Sequence, residues 1–281
     1  MSSLKRVGEG GRMNSGVELR RHAIFRKDDG RSVVIAMDHA AIAGPIEGIR
    51  NPSAIVGSCV AQKVDAILTT KGMVSTSLPE WDRTTSLILR LTGGFTILGG
   101  KFEEELVVEP ETAISYGAAA AALTVKFGHE LEGKFIKQAS LAIDRCHTLG
   151  LPVMIEAMVH GSLRGNPASV TNPETVGMVA RMGAELGADI IKTHYTGDPS
   201  SFAKVVEGCP VPILILGGSK TDSVRNIFQE IYDSLESGGK GVAMGRNIWE
   251  HEHVELMLKA VHGLVHDHWS VNEACDTVGI P

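Results

Sequence analysis

Eight short apolar runs recur at regular intervals along this 281-residue chain, at residues 32–37 (SVVIAM), 66–70 (AILTT), 86–91 (SLILRL), 120–125 (AAALTV), 152–156 (PVMIE), 189–192 (DIIK), 211–216 (VPILIL) and 241–244 (GVAM). They are apolar throughout rather than alternating, so each would be covered on both faces, as parallel strands packed under helices are. Periodicity alone cannot tell so short a run from buried helix. The even spacing and the flanking Gly and Pro residues favour strands. Helical stretches lie between them at 130–150, 173–187, 222–238 and 252–265. Residues 173–187 follow Asn172 with Pro173 at a first helical position and Gly187 as a stop, and Asp222 is placed to cap the next helix. The segment between the third and fourth runs is less regular, with Gly93-Gly94, Gly99-Gly100 and a short helix at 109–116.

Eight β/α units with right-handed crossovers predict an α/β chain folded as a single (β/α)8 TIM barrel. An open doubly wound sheet is the alternative, and no GxGxxG follows the first strand to support it. The predicted boundaries are a loose N-terminal tail and short helix at 1–29, a barrel at 30–268 and a C-terminal tail at 269–281 carrying Trp269.

The net charge is −6 and no basic stripe is visible, which argues against a nucleic-acid partner. No run reaches the ~18–20 apolar residues of a membrane span, and the N-terminus has no apolar export core. Cys59, Cys146, Cys209 and Cys275 are widely separated with no CxxC spacing, as expected of reduced thiols in a cytoplasmic protein. Barrels of this kind are often oligomeric, so a homo-oligomer is expected.

In a barrel the chemistry gathers at the C-terminal ends of the strands. Those ends read Met37-Asp38-His39, Thr70-Lys71-Gly72, Glu156 to His160, Lys192-Thr193-His194-Tyr195, Gly217-Gly218-Ser219-Lys220 and Gly245-Arg246-Asn247. Lys192 follows an apolar run, where partial desolvation frees an amine for attack on a carbonyl. Position alone suits equally a lysine paired with a carboxylate or reaching to solvent. Gly217, Gly218, Ser219 and Gly245 let backbone N–H groups approach an anion, and Arg246 can add a charged fork. His39, Lys71 and His194 stand at the same rim and are expected to contact substrate. Asp38 and Glu156 are candidate acid/base groups, and burial is expected to raise the pKa of Glu156. His160 and Tyr195 are further candidates. His251 and His253 are two residues apart and would point in different directions, so no metal site is expected. GxSxG, HExxH and P-loop motifs are absent.

Residues 189–199 (DIIKTHYTGDP), 208–220 (GCPVPILILGGSK), 241–249 (GVAMGRNIW) and the VVIAMDHA that contains Asp38 resemble the class I aldolases of the archaeal fructose-bisphosphate aldolase and deoxyribose-phosphate aldolase superfamily. The similarity runs across about residues 30–268. It implies a barrel in which Lys192 forms a Schiff base, with Asp38 near it and a phosphate site made by Gly217, Gly218, Gly245 and Arg246, and it requires no metal or organic cofactor. In one respect the chain departs from the family. Fructose-bisphosphate aldolases and aminodideoxyheptulosonate synthases of the superfamily carry Tyr-Pro-Arg-Gly after strand 5, with the tyrosine as acid/base. The matching stretch here is Met158-Val159-His160-Gly161. Glu156 is one replacement, because tagatose-bisphosphate-type class I aldolases use a strand-end glutamate; His160 and Tyr195 are others. The autoinducer-2 phosphate thiolase of the superfamily, which also lacks the tyrosine, is similar through IIKT and GCPVPI.

The expected activity is aldol-type bond making or breaking on a phosphorylated ketone. Acyl transfer from a phosphorylated diketone to coenzyme A is the rival, and a sugar-phosphate-binding regulator without catalysis is the reading from outside enzymology.

Overall fold

The computed structural model describes residues 14–99, 103–160, 162–163, 166–167, 170–217 and 223–280. Eight parallel strands close on themselves: β1 (Ser32–Ala36), β2 (Ala66–Thr69), β3 (Ser86–Arg90), β4 (Ala120–Phe127), β5 (Val153–Val159), β6 (Ile190–Thr193), β7 (Ile213–Ile215) and β8 (Gly241–Met244). The order around the ring is sequential, and β8 pairs back onto β1 through Ser32↔Gly241 and Ile35↔Met244. The eight runs therefore form the expected (β/α)8 barrel, with no open sheet edge.

Helices are laid over the strands: α1 (Ser15–Ile24), α2 (Pro52–Ala61), α3 (Lys71–Ser77), α4 (Pro110–Ser115), α5 (Glu132–Thr148), α6 (Pro173–Glu185), α7 (Pro199–Gly208), α8 (Val224–Glu236), α9 (Val254–His266) and α10 (Val271–Val278). Their starts follow from local chemistry. Asn51, Asn172 and Asp198 each accept a hydrogen bond from a first-turn amide, and each is followed by proline, whose missing N–H is not needed there. The cap of α8 is Ser223; the expected cap, Asp222, lies outside the described residues. Residues 271–278, expected as tail, form α10. Ser270 and Glu273 build its capping box, and Val271, Ala274, Cys275 and Val278 join the core. The four cysteines are buried and unbridged.

Two apolar layers result from strand alternation. Val33, Ile35, Ile67, Leu89, Leu123, Ile155 and Ile191 face outward into the helices. Val34, Ala36, Leu68, Ile88, Ala122, Met154, Ile190, Leu214 and Ala243 fill the inside of the ring, and Ile24 of α1 plugs its lower end. Beside that end, Arg26 Nε donates to Asp65 Oδ1 (2.8 Å), and the two ring nitrogens of His266 lie 2.6 Å from Asp29 Oδ2 and 2.8 Å from Asp65 Oδ2. Burial pushes the Asp29 carboxyl up, but its hydrogen bonds to His266 and Arg31 outweigh this and hold it below the ordinary range. No helix among the described residues is long and apolar enough to cross a membrane.

Candidate active site

The inward-facing series of each strand is apolar at the bottom of the ring and polar at the top. On β5 it reads Met154, Glu156, Met158; on β6, Ile190, Lys192, His194; on β4, Ala122, Thr124, Lys126; on β3, Ile88, Arg90, Thr92. The polar ends surround a cavity of about 820 Å³ at the C-terminal mouth, the size of a small-molecule site. Of the sequence-predicted residues, Asp38, His39, Lys71, Glu156, Lys192, His194, Gly217, Gly245 and Arg246 line this cavity. Gly218 and Ser219 lie outside the described residues.

The floor is a chain of alternating charges. Lys192, only 4% exposed, places Nζ 2.6 Å from Glu156 Oε1. Arg90 Nη2 donates to Glu156 Oε2 (2.7 Å) and lies 2.6 Å from Asp38 Oδ2, to which Arg90 Nε also donates. Thr124 Oγ1 takes a hydrogen bond from Arg90 and donates to Glu156 Oε2 (2.9 Å). Strand register makes this possible, because Thr124, Glu156 and Lys192 are consecutive partners across β4, β5 and β6. Two cations thus face two carboxylates. Burial alone would push both carboxyls up. For Asp38, the charges of Arg90, then Lys192, reverse this and hold it low; for Glu156, Lys192 and then Arg90 hold it well below the ordinary range. The expectation that burial raises Glu156 is therefore corrected: burial is real, but the two adjacent cations win.

Around this floor stand two imidazoles that burial holds below their usual range, His39 and His194. His39 Nδ1 is 3.4 Å from Asp38 Oδ1, and its ring meets Trp249 edge-on at 5.5 Å. The β7–β8 side of the cavity carries Gly217, Gly245 and Arg246. A Cβ on Gly245 would lie 2.4 Å from the Ala36 carbonyl oxygen and 3.2 Å from His39 Cε1, so only glycine lets the loop after β8 lie against β1. Asn247 Nδ2 donates to the Gly217 carbonyl and ties the two loops together.

Two expected residues are not brought to the cavity. Tyr195 has the opposite alternation from Lys192 and His194, so it faces outward and packs against Phe202 of α7 at 5.2 Å. His160 is exposed and meets the His129 ring at a tilt, with ring centres 4.5 Å apart. Among the lining residues that the sequence did not single out are Arg90, Thr124, Lys126 and Glu104. The first three continue the inward series of β3 and β4. Glu104 enters from the irregular segment after β3, where residues 92–93 and 105–106 form a small antiparallel hairpin.

Comparison with known proteins bears on the family and the fold. The profile of the DeoC/LacD family aldolases matches residues 32–251. An uncharacterized aldolase of Saccharolobus solfataricus is 31% identical over 269 residues, covering 92% of this chain and 97% of its own. The 3-hydroxy-5-phosphonooxypentane-2,4-dione thiolase of Yersinia pseudotuberculosis is 32% identical over 256 residues, covering 91% and 84%. Among solved structures, an archaeal fructose-1,6-bisphosphate aldolase with its catalytic lysine covalently bound to the carbinolamine intermediate is 28% identical, with a TM-score of 0.80 over 89% of this chain and 99% of that one.

Proposed function

The chain belongs to the DeoC/LacD aldolase family, and on that premise we propose that it makes or breaks a carbon–carbon bond beside the carbonyl of a phosphorylated ketone held as an imine on Lys192. The observation that carries the reading is the Lys192 ammonium, buried at the floor of the cavity with Glu156 at 2.6 Å. In this mechanism the substrate phosphate docks on the glycine-lined side with Arg246, and Lys71 and the imidazoles of His39 and His194 contact the rest of the substrate. Glu156 takes a proton from Nζ, and the free amine adds to the ketone carbon. The same carboxyl returns the proton to the carbinolamine oxygen, which leaves as water. The resulting iminium is an electron sink. When the bond one carbon away breaks, its electron pair passes through the enamine to nitrogen; when the bond forms, the pair flows back. Asp38, fixed by Arg90, steers Glu156 and Lys192 from the far side of the network. The test is borohydride reduction in the presence of dihydroxyacetone phosphate, followed by peptide mass mapping. An adduct on the peptide containing Lys192 is expected; its absence overturns the reading.

A second reading has its own observation. Met158 lines the cavity at the end of β5 and has no exchangeable proton, so that wall lacks an acid for simple ketose cleavage. In acyl transfer the imine would still form on Lys192, and a thiolate would attack the second carbonyl of a β-diketone; the bond from that carbon to the carbon beside the iminium would break, its electron pair passing into the enamine, and the acyl group would leave as a thioester. Stimulation of turnover by coenzyme A and none by aldehydes would select it.

A further inference from the structure

Across the mouth from the glycine loops lies a second buried charged pair that the imine steps do not use. In the eight-membered ring β3 and β4 are diametrically opposite β7 and β8. On that side Lys126 (4% exposed) and Glu104 (6% exposed) both line the cavity, with Lys126 Nζ 3.9 Å from Glu104 Oε1 and 4.6 Å from the centre of the Phe95 ring. Register fixes the height of the Lys126 backbone, whose side chain is paired with Glu104. Thr124 is level with Glu156 and Lys192, whereas Lys126 is level with Met158, two residues or roughly 6–7 Å nearer the mouth. The backbone of Lys126 therefore stands one layer nearer the mouth than that of Lys192, and Glu104 lines the cavity beside it. In the imine reading, a ketone anchored by its phosphate at β7–β8 and by its carbonyl at Lys192 would extend its reacting carbon across the cavity towards this side. Phe95, Val107, Val108 and Met158, which line the same region, offer no exchangeable proton.

We propose that Glu104 is the acid that protonates the carbonyl oxygen of an aldehyde acceptor in this upper layer, and the base that removes that proton in cleavage, with Lys126 as its positioning residue. The proposal rests on the imine reading. As the enamine carbon bonds to the aldehyde carbon, the C=O π pair moves to oxygen, which takes the Glu104 proton. The enamine nitrogen becomes an iminium, and water hydrolyses it to free Lys192. Glu104 is left as a carboxylate beside Lys126. Burial pushes its carboxyl up to about 7 against the pull of Arg90 and Lys126, so both forms are populated near neutrality, as acid–base exchange requires. The charged groups facing it are Arg90 of β3, Lys126 of β4 and Glu156 of β5.

The test compares the full-length wild type with Glu104→Gln and Lys126→Met, using dihydroxyacetone phosphate and a panel of glycolaldehyde, glyceraldehyde and glyceraldehyde 3-phosphate. Glu104→Gln is expected to keep both the borohydride adduct on Lys192 and the exchange of the donor's C3 hydrogen with D2O. Aldehyde condensation should fall by about 10²–10⁴-fold. Lys126→Met removes a charge that favours the carboxylate, so the alkaline limb of the pH–rate profile should move to higher pH. Glu104→Gln condensing at the wild-type rate overturns the proposal. So does joint loss of adduct and condensation, which would mark a merely structural pair, and so does a wild type that forms the adduct yet condenses with no aldehyde. A wild type that forms no adduct removes the imine reading and this proposal with it.

Discussion

Replacing Arg90 by methionine keeps much of the side-chain bulk but deletes the guanidinium that joins Asp38 to Glu156 at 2.6 and 2.7 Å. Of the two floor cations that hold the carboxylates only the Lys192 ammonium then remains, in a place with little access to water. Breaking a buried ion pair by removing one partner costs about 3–5 kcal/mol, because the other charge stays buried. At about 2 °C per kcal/mol for a chain of this length, the midpoint of thermal unfolding should fall by about 6–10 °C at pH 8. In the wild type both carboxyls are held low, so their stabilisation is present above the unfolded-state carboxylate range and is lost as pH falls through the folded values. In the variant one carboxyl loses its main cation and its folded value rises. Its penalty is then greatest at alkaline pH and is relieved on protonation. Differential scanning calorimetry at pH 8 and pH 5 should show the deficit shrinking on acidification. A deficit of less than about 2 °C at pH 8, or one of equal size at both pH values, would refute the claim that Arg90 acts by charge compensation.

Glu156→Gln should lower turnover by about 10²–10⁴-fold while leaving a thiol or aldehyde preference unchanged, as measured by steady-state kinetics across acceptors. Gly245→Ala places a Cβ 2.4 Å from the Ala36 carbonyl, so it should cost about 1–3 kcal/mol in urea unfolding and weaken competitive inhibition by inorganic phosphate. Asp29→Asn removes a carboxylate held low by its hydrogen bond to His266; the destabilisation should be full at pH 7 and shrink as pH falls through the lowered folded-state value, and chemical unfolding across an acid pH series checks this.

The barrel was legible because each of its strands is a run of inward- and outward-facing apolar residues with a polar end. Lys192 and Glu156 were visible for the same reason: a charge that ends an apolar run has few places to go. Arg90 carried the same signal, but it stands before Leu91, inside what read as a continuous strand, and so passed as strand interior. Lys126 was missed because β4 runs two residues beyond its apolar stretch, as far as Phe127. Tyr195 shows the converse. Counting in twos from Lys192 assigns it to the outer face, and rim position alone misled. Glu104 was beyond such counting, since the segment that delivers it pairs only two residues with two and has no period to follow. Whether two side chains a long way apart in sequence form one charge network depends on strand register, which no single strand encodes.

The balanced floor has a consequence for the energy profile of an imine reaction. An ammonium and an iminium carry the same charge at the same nitrogen. Two carboxylates and a guanidinium already arranged around a cationic Nζ would therefore meet the intermediate with their dipoles in place. Little reorganisation of the surroundings is needed as one cation replaces the other, and the barrier this saves is of the kind a preorganised site removes. The charge that the floor balances before the ketone binds is then the same charge it balances after water has left.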